Sequence, residues 1–165
     1  MIRPVQLSDA DQIAEIYNYY VSETVITFEE DLVSVEEFQT RIQKVLDVGM
    51  PWLVAEVDGQ IRGYAYAGKW RERVAYQFSV ESAVYVSHSQ HGQGIGSSLY
   101  SALLDELEKL GMHCVLGGIA LPNPDSVRLH ERLGFKKVAH HSEVGCKFDQ
   151  WIDVGFWQLQ LPRKS

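Results

Sequence analysis

Cysteine is scarce in this sequence. Cys114 and Cys146 are the only two in 165 residues, and they form no C-x-x-C pair. That excludes a disulfide framework or a zinc cluster built on cysteines, and both read as small, partly buried apolar residues. His88, His113, His140 and His141 lack ligand spacing to a carboxylate or cysteine, so no metal is expected. Positive charge is also in short supply: 15 Lys and Arg face 22 Asp and Glu, for a net charge of -7. A nucleic-acid binder or a protein docked on anionic membrane needs a basic face, and this balance argues against both. Any anion site must be local, made of amides and a few cations. No apolar run approaches membrane-spanning length, and Met1-Ile2-Arg3-Pro4 opens into polar sequence without a signal-peptide pattern. Repeats, linkers and low-complexity segments are missing too. The expectation is a cytoplasmic enzyme. The composition, 45% hydrophobic and 22% charged, suits one domain over residues 1–165. A chain of this size buries about 70% of its unfolded surface.

Taken in order, Ile2 to Leu7 reads as a strand and Ser8 as the N-cap of a helix with Asp9 and Asp11 in its first turn. Ile13, Ile16, Tyr17 and Tyr20 give that helix an apolar stripe, and Val21 to Asp31 reads as a loop. Ser34 and Glu37 form a capping box before a second helix, which Gly49 and Pro51 stop. Trp52–Val57 and Ile61–Ala67 make a hairpin across Asp58-Gly59, a dipeptide suited to a primed turn. After the cationic break Lys69–Arg73, a long strand is predicted from Tyr76 to Val86. A glycine turn and a helix follow, with Leu99, Leu103, Leu107 and Leu110 at helical spacing and Gly111 as the stop. His113–Ala120 is a central strand, Asn123 opens a short helix ending at Gly134, and Phe135–Ala139 and Trp151–Leu161 are the last strands. The order is strand, two helices, three strands, helix, strand, helix, two strands. This is an α+β domain with mostly antiparallel neighbours and a crossover at the glycine turn.

That turn, Val84 to Ser97, is the most informative stretch. Gly92, Gly94 and Gly96 lie between a β-rich segment and a helix start. Glycines there let a ligand approach the backbone, and the first helix amides lack partners and carry the positive end of the dipole. The result is a receptor for phosphate or pyrophosphate. A P-loop would need a lysine after its last glycine, and a Rossmann turn would read G-x-G-x-x-G; neither pattern is present. The stretch resembles instead the pyrophosphate loop of the GNAT acetyltransferases, whose pattern is Arg or Gln, two residues, Gly, one residue, then Gly or Ala. Gly94 and Gly96 take the glycine places, and His91 stands where the family has Arg or Gln.

The resemblance covers essentially the whole chain. Pro51–Glu56, Val80–Ser87, Ser126–Glu131 and Trp151–Leu159 resemble the phosphinothricin and methionine sulfoximine N-acetyltransferases within that superfamily. It implies the GNAT fold, a mixed and mostly antiparallel sheet of about seven strands flanked by about four helices. It also implies acetyl-CoA as cosubstrate and a homodimer with the aromatic tail Trp151–Trp157 at the contact.

Acetylation of an amine needs a free amine, a stabilised oxyanion and a proton for the thiolate. Glu81 is a carboxylate in an apolar strand, which alternation places on one face with Ser79, Ala83 and Tyr85. The resemblance gives it the role of base. His130 stands where many relatives place a tyrosine acid, and it is the candidate acid for the thiolate. The candidate cofactor residues are Val84, Tyr85, Val86, His91, Gly92, Gln93, Gly94, Ile95, Gly96, Ser97, Asn123 and Ser126. In the family the strand amides at Val84–Val86 meet the oxyanion beside a bulge, and the asparagine contacts the pantetheine arm. The candidate acceptor residues are Phe28, Arg71, Glu72, Arg73, Glu81, Ser82 and Ala83, with Glu29 and Tyr64 as further pocket-wall candidates. Guanidinium forks at Arg71 and Arg73 suit a carboxylate or phosphinate. The function expected is transfer of acetyl from acetyl-CoA to the α-amine of phosphinothricin, methionine sulfoximine or methionine sulfone in a ternary complex. The alternatives are another amine (a polyamine, an aminoglycoside or a protein N-terminus), a non-catalytic acyl-CoA sensor, or an interaction domain.

Overall fold

In the computed structural model, which describes residues 1–163, seven strands form one sheet with helices on both faces. The last two residues of the expected 1–165 domain lie outside the described residues. The elements are β1 (Ile2–Pro4), α1 (Ala10–Glu23), α2 (Val35–Asp47), β2 (Trp52–Val57), β3 (Gln60–Lys69) and β4 (Ser79–Val86). They continue with α3 (Ile95–Lys109), β5 (Cys114–Leu121), α4 (Pro124–Arg132), β6 (Lys136–Lys147) and β7 (Gln150–Gln160). The order across the sheet is β1-β2-β3-β4-β5-β7-β6, and every neighbouring pair is antiparallel except β4 and β5. The expected element order and sheet are both present.

Strand alternation divides the interior into two cores. On one face Leu99, Leu103 and Leu107 of α3 pack on Val80, Ala65 and Val115. On the other, Ile13, Tyr17 and Tyr20 of α1 and Phe38 and Ile42 of α2 pack on Trp52, Val54 and Tyr64. Each fully buried aliphatic side chain contributes about 1.5–3 kcal/mol by leaving water. Several local signals read directly into structure. Ser34 Oγ accepts from the Glu37 amide at 3.1 Å, and Asn123 Oδ1 accepts from the Ser126 amide at 3.2 Å. Asp58 and Gly59 both adopt positive φ, as a primed turn requires.

Several boundaries differ from expectation, and four of them have a clear local reason. Leu7–Asp9 forms a 3₁₀ turn, and Ser8 does not cap α1. Asp9 is instead buried and gripped by both Arg3 Nη atoms at 2.9 Å, while it accepts the Gln6 amide at 2.8 Å. Helix α1 runs on through Glu23, because Val21 is wholly buried in the core beneath it. The stretch before β4 turns at Val74–Tyr76 and pairs only from Ser79. Strand β6 continues far past Ala139 to Lys147, joined to β7 through Phe148 and Asp149, both at positive φ.

Candidate active site

Strands β4 and β5 pair only over Ser79–Glu81 and Cys114–Leu116, after which they diverge. Strand β4 stays on β3 to Val86, while β5 stays on β7 to Leu121, so a wedge opens in the sheet. The Trp70 amide donates to the Ser79 carbonyl at 3.3 Å, and the Ser87 amide donates to the Arg62 carbonyl at 2.8 Å. These fix the odd-numbered β4 residues as the ones bonded to β3, by the alternation of an antiparallel ladder. The peptide groups of Ser82, Val84 and Val86 therefore face the wedge. The β3–β4 register runs without a shift from Gly63 opposite Val86 to Lys69 opposite Val80. Divergence from β5, and not the expected bulge, is what frees these amides.

A cavity of about 470 Å³ runs from the wedge along the glycine turn to α4. Val84, Tyr85, Val86, His91, Gly92, Gly94, Ile95, Gly96, Ser97, Asn123 and Ser126 line it; Gln93 does not. Gly92 and Gly94 sit at φ of 79° and 77°, left-handed values that glycine adopts without strain. The first intrahelical bond of α3 runs from the Ser98 amide to the Gly94 carbonyl at 3.0 Å. The amides of Ile95, Gly96 and Ser97 thus emerge at the helix end, ready for an anion. Tyr20 crosses from α1 to bond the Val86 carbonyl, and its oxygen lies 2.7 Å from His91 Nε2. Burial, aided by neighbouring Tyr19, pushes the Tyr20 hydroxyl pKa up to about 12, so it stays a donor. Since its one proton goes to Val86, the network assigns the His91 Nε2 proton to the bond with Tyr20. Gln90, Asp125, Arg128 and Arg132 also line this groove, and none of them stood out in the sequence.

A second cavity of about 250 Å³ lies in the wedge, lined by Glu81, Ser82 and Ala83 with Gly118, Ile119, Ala120 and His130. Val84, Tyr85, Asn123, Ser126 and Leu129 border both cavities. The Glu81 side chain is open to the pocket, yet the atoms around it displace enough water to raise its pKa, with Arg71 pulling the other way. His130 is buried, with Nδ1 2.7 Å from the Ser126 carbonyl and Nε2 3.0 Å from the Tyr100 hydroxyl. A carbonyl only accepts, so Nδ1 carries the proton and Nε2 accepts from Tyr100. Burial lowers the His130 pKa, more than the Ser126 bond raises it. The Ser82 hydroxyl completes the chain, 2.5 Å from Tyr100 and 3.3 Å from the Leu116 carbonyl. Gly117 leaves room for this arrangement: a Cβ there would stand 2.5 Å from His130 Nε2.

The remaining acceptor candidates lie outside the linings of these two cavities. Arg71 is exposed with its guanidinium over the Trp70 ring at 4.9 Å, and Glu72 pairs with Lys69 at 3.7 Å. Arg73 is exposed just before the Val74–Tyr76 turn. Phe28 lies against Gly145, and Glu29 pairs with Arg41 at 2.6 Å. Tyr64 is fully buried in the core, so it forms no pocket wall. The wall residue from this segment is Ile26, which borders both cavities. Lys147 explains its placement: this buried ammonium donates to the carbonyls of Val21 and Thr27, each at 2.8 Å, and holds the segment between them. Among the described residues, no three His, Cys, Asp or Glu gather as metal ligands.

Residues 2–155 match the family described as "Acetyltransferase (GNAT) domain". The chain belongs to the GNAT acetyltransferases. It is 42% identical over 163 residues to a phosphinothricin N-acetyltransferase of Streptomyces viridochromogenes, covering 98% of this chain and 88% of that one. It is 38% identical over 160 residues to an L-methionine sulfoximine/L-methionine sulfone acetyltransferase of Salmonella typhimurium, covering 97% and 94%. The crystal structure of a phosphinothricin acetyltransferase from Sinorhizobium meliloti in complex with acetyl-CoA superposes with a TM-score of 0.94 at 35% identity, covering 98% of this chain and 88% of that chain. The chain is an N-acetyltransferase that uses acetyl-CoA. Among its described residues, no helix is long and apolar enough to cross a membrane.

Proposed function

We propose that this GNAT enzyme acetylates the α-amine of a small amino-acid analogue of the phosphinothricin, methionine sulfoximine and methionine sulfone class, by direct transfer in a ternary complex. The observation that carries the reading is Glu81: a carboxylate of raised pKa in a small pocket, beside strand amides that have no strand partner. An α-amine with a pKa of about 8 is largely protonated near neutrality, so attack requires a base. Glu81 takes the proton, directly or through water. The nitrogen then attacks the thioester carbonyl, and the oxyanion is met by the β4 amide of Val84. The diphosphate rests on the amides of Ile95, Gly96 and Ser97, and Asn123 and Ser126 flank the pantetheine arm between the two cavities.

In this reading His130 is a positioning residue. Both of its ring nitrogens are engaged and burial keeps it neutral, so it has no spare N–H for a thiolate. It holds Tyr100 and Ser82 at the pocket floor, and the departing thiolate takes its proton from water. Arg71 and Arg73 meet the acceptor's anionic group from the rim, where Arg71 already acts on Glu81. No covalent acyl-enzyme is involved: burial pushes the Cys114 thiol up, Cys146 is exposed on β6, and neither lines a cavity. Two copies pair through the β6–β7 hairpin, where Val138, Val144, Phe148 and Trp151 are exposed; Trp157 is buried in its own core and takes no part.

The test is thiol release from acetyl-CoA with phosphinothricin, methionine sulfoximine, spermidine and kanamycin in parallel. Saturable turnover with the first two is expected. Turnover only with the cationic amines would overturn the acceptor class and keep the chemistry.

A further inference from the structure

Coenzyme A carries a third phosphate, on the ribose 3′ position, besides the diphosphate that a helix end can hold. The groove has side chains suited to it. Helix α4 sets Arg128 and Arg132 one turn apart on the face that lines the groove. Among the described residues they are the only Lys or Arg lining either cavity. Leu129 and Ser126, between and before them, border the wedge as well, so α4 spans the distance from the reacting end of the donor to its phosphates. The glycine turn offers amides and His91 but no permanent cation. A chain of net charge -7 repels a polyanion overall, which makes two local guanidiniums count for more. Arg128 is shared with Asp125 through an ion pair, whereas Arg132 makes no ion pair among the described residues. A phosphate arriving at the groove's outer end therefore finds one free fork and one that Asp125 already holds in place.

We propose that Arg132, with Arg128 beside it, binds the 3′-phosphate of coenzyme A and makes the enzyme select acetyl-CoA over donors that lack this group. The inference rests on the placement of acetyl-CoA in this groove. It adds a donor-selectivity site contributed by α4, separate from the diphosphate turn.

The experiment compares kcat/KM for acetyl-CoA and acetyl-dephospho-CoA, in the wild-type enzyme and in Arg132→Gln and the double variant Arg128→Gln/Arg132→Gln. Two charge-assisted contacts to one phosphate at a solvated site correspond to a wild-type preference of roughly tenfold for acetyl-CoA. Arg132→Gln is expected to reduce that ratio, and the double variant to bring it close to one. Raising ionic strength shrinks the wild-type ratio in the same direction. A wild-type ratio near one, or a variant that loses the same factor with both donors, would overturn the proposal. Calorimetric affinities for CoA and dephospho-CoA read the same ratio without turnover. A wrong acceptor assignment, which silences the assay with every amino-acid analogue, would thus be told apart from a wrong phosphate site.

Discussion

The groove proposed for the donor and the pocket proposed for the acceptor share a wall but are built from different materials. The groove is mostly main chain: two left-handed glycines, three helix-end amides and the strand amides released where β4 leaves β5. The pocket is side-chain chemistry, with Glu81 in front and the Ser82–Tyr100–His130 chain behind it. Backbone recognition depends on chain path and tolerates exchange of the side chains around it. His91 standing in the family's Arg or Gln place fits that tolerance. A pocket whose polar groups satisfy one another tolerates little, because an unmatched buried polar atom costs about 1–3 kcal/mol.

The contrast between main-chain groove and side-chain pocket is sharpest at Glu81. Glu81→Gln is expected to lower kcat/KM by roughly a hundredfold or more while leaving CoA affinity unchanged. As the proposed base, Glu81 works only when ionised, and burial raises its pKa above the ordinary carboxylate value. Wild-type activity should therefore fall as pH drops through that raised pKa, and the limb belonging to the carboxylate should vanish in Glu81→Gln. An unaltered pH profile of kcat/KM would remove Glu81 from the reaction. Gly117→Ala is the next largest change. Its methyl would press on His130 Nε2, and the displaced ring should cost about 1–3 kcal/mol in urea unfolding. Unchanged stability there would mean the buried chain adapts as freely as the groove. The smallest effect is expected at His91. His91→Ala should raise the acetyl-CoA KM only about twofold, the scale of an exposed charge or a single replaceable hydrogen bond. A rise of tenfold or more would show that this side chain, and not the backbone, holds the diphosphate.

The parts legible in the sequence were those whose determinants lie close together along the chain. The glycine turn, the Ser34 and Asn123 caps and the Asp58-Gly59 turn each depend on residues within a few positions. The facing of Glu81 follows from alternation in one strand. What escaped were contacts made by distant residues. Tyr20 reaches Val86 and His91 from another element, Tyr100 meets His130 from α3, and Lys147 reaches back to Thr27. Arg128 and Arg132 were invisible for another reason: exposed arginines on a short helix look like any solvated face until the helix is laid along a groove. The long β6 was missed because its turn places Phe148 and Asp149, not glycine, at positive φ. The whole-chain resemblance carried the family, the enzyme class and the donor, all of which the comparisons bear out. The acceptor candidates it pointed to at Arg71, Glu72 and Arg73 are exposed and lie outside both cavity linings.

The Lys147 ammonium has a consequence for the order in which the enzyme comes into being. Protein chains emerge N-terminus first. Every residue lining the donor groove has left the ribosome once Arg132 is out, before the lysine that pins Ile26 has been made. The nascent chain can thus hold every residue that lines the groove while Ile26, the wall that groove and wedge pocket share, still awaits the final hairpin. A lesion in that hairpin, far from Glu81 in sequence, would be felt at the Ile26 wall and so in both cavities at once.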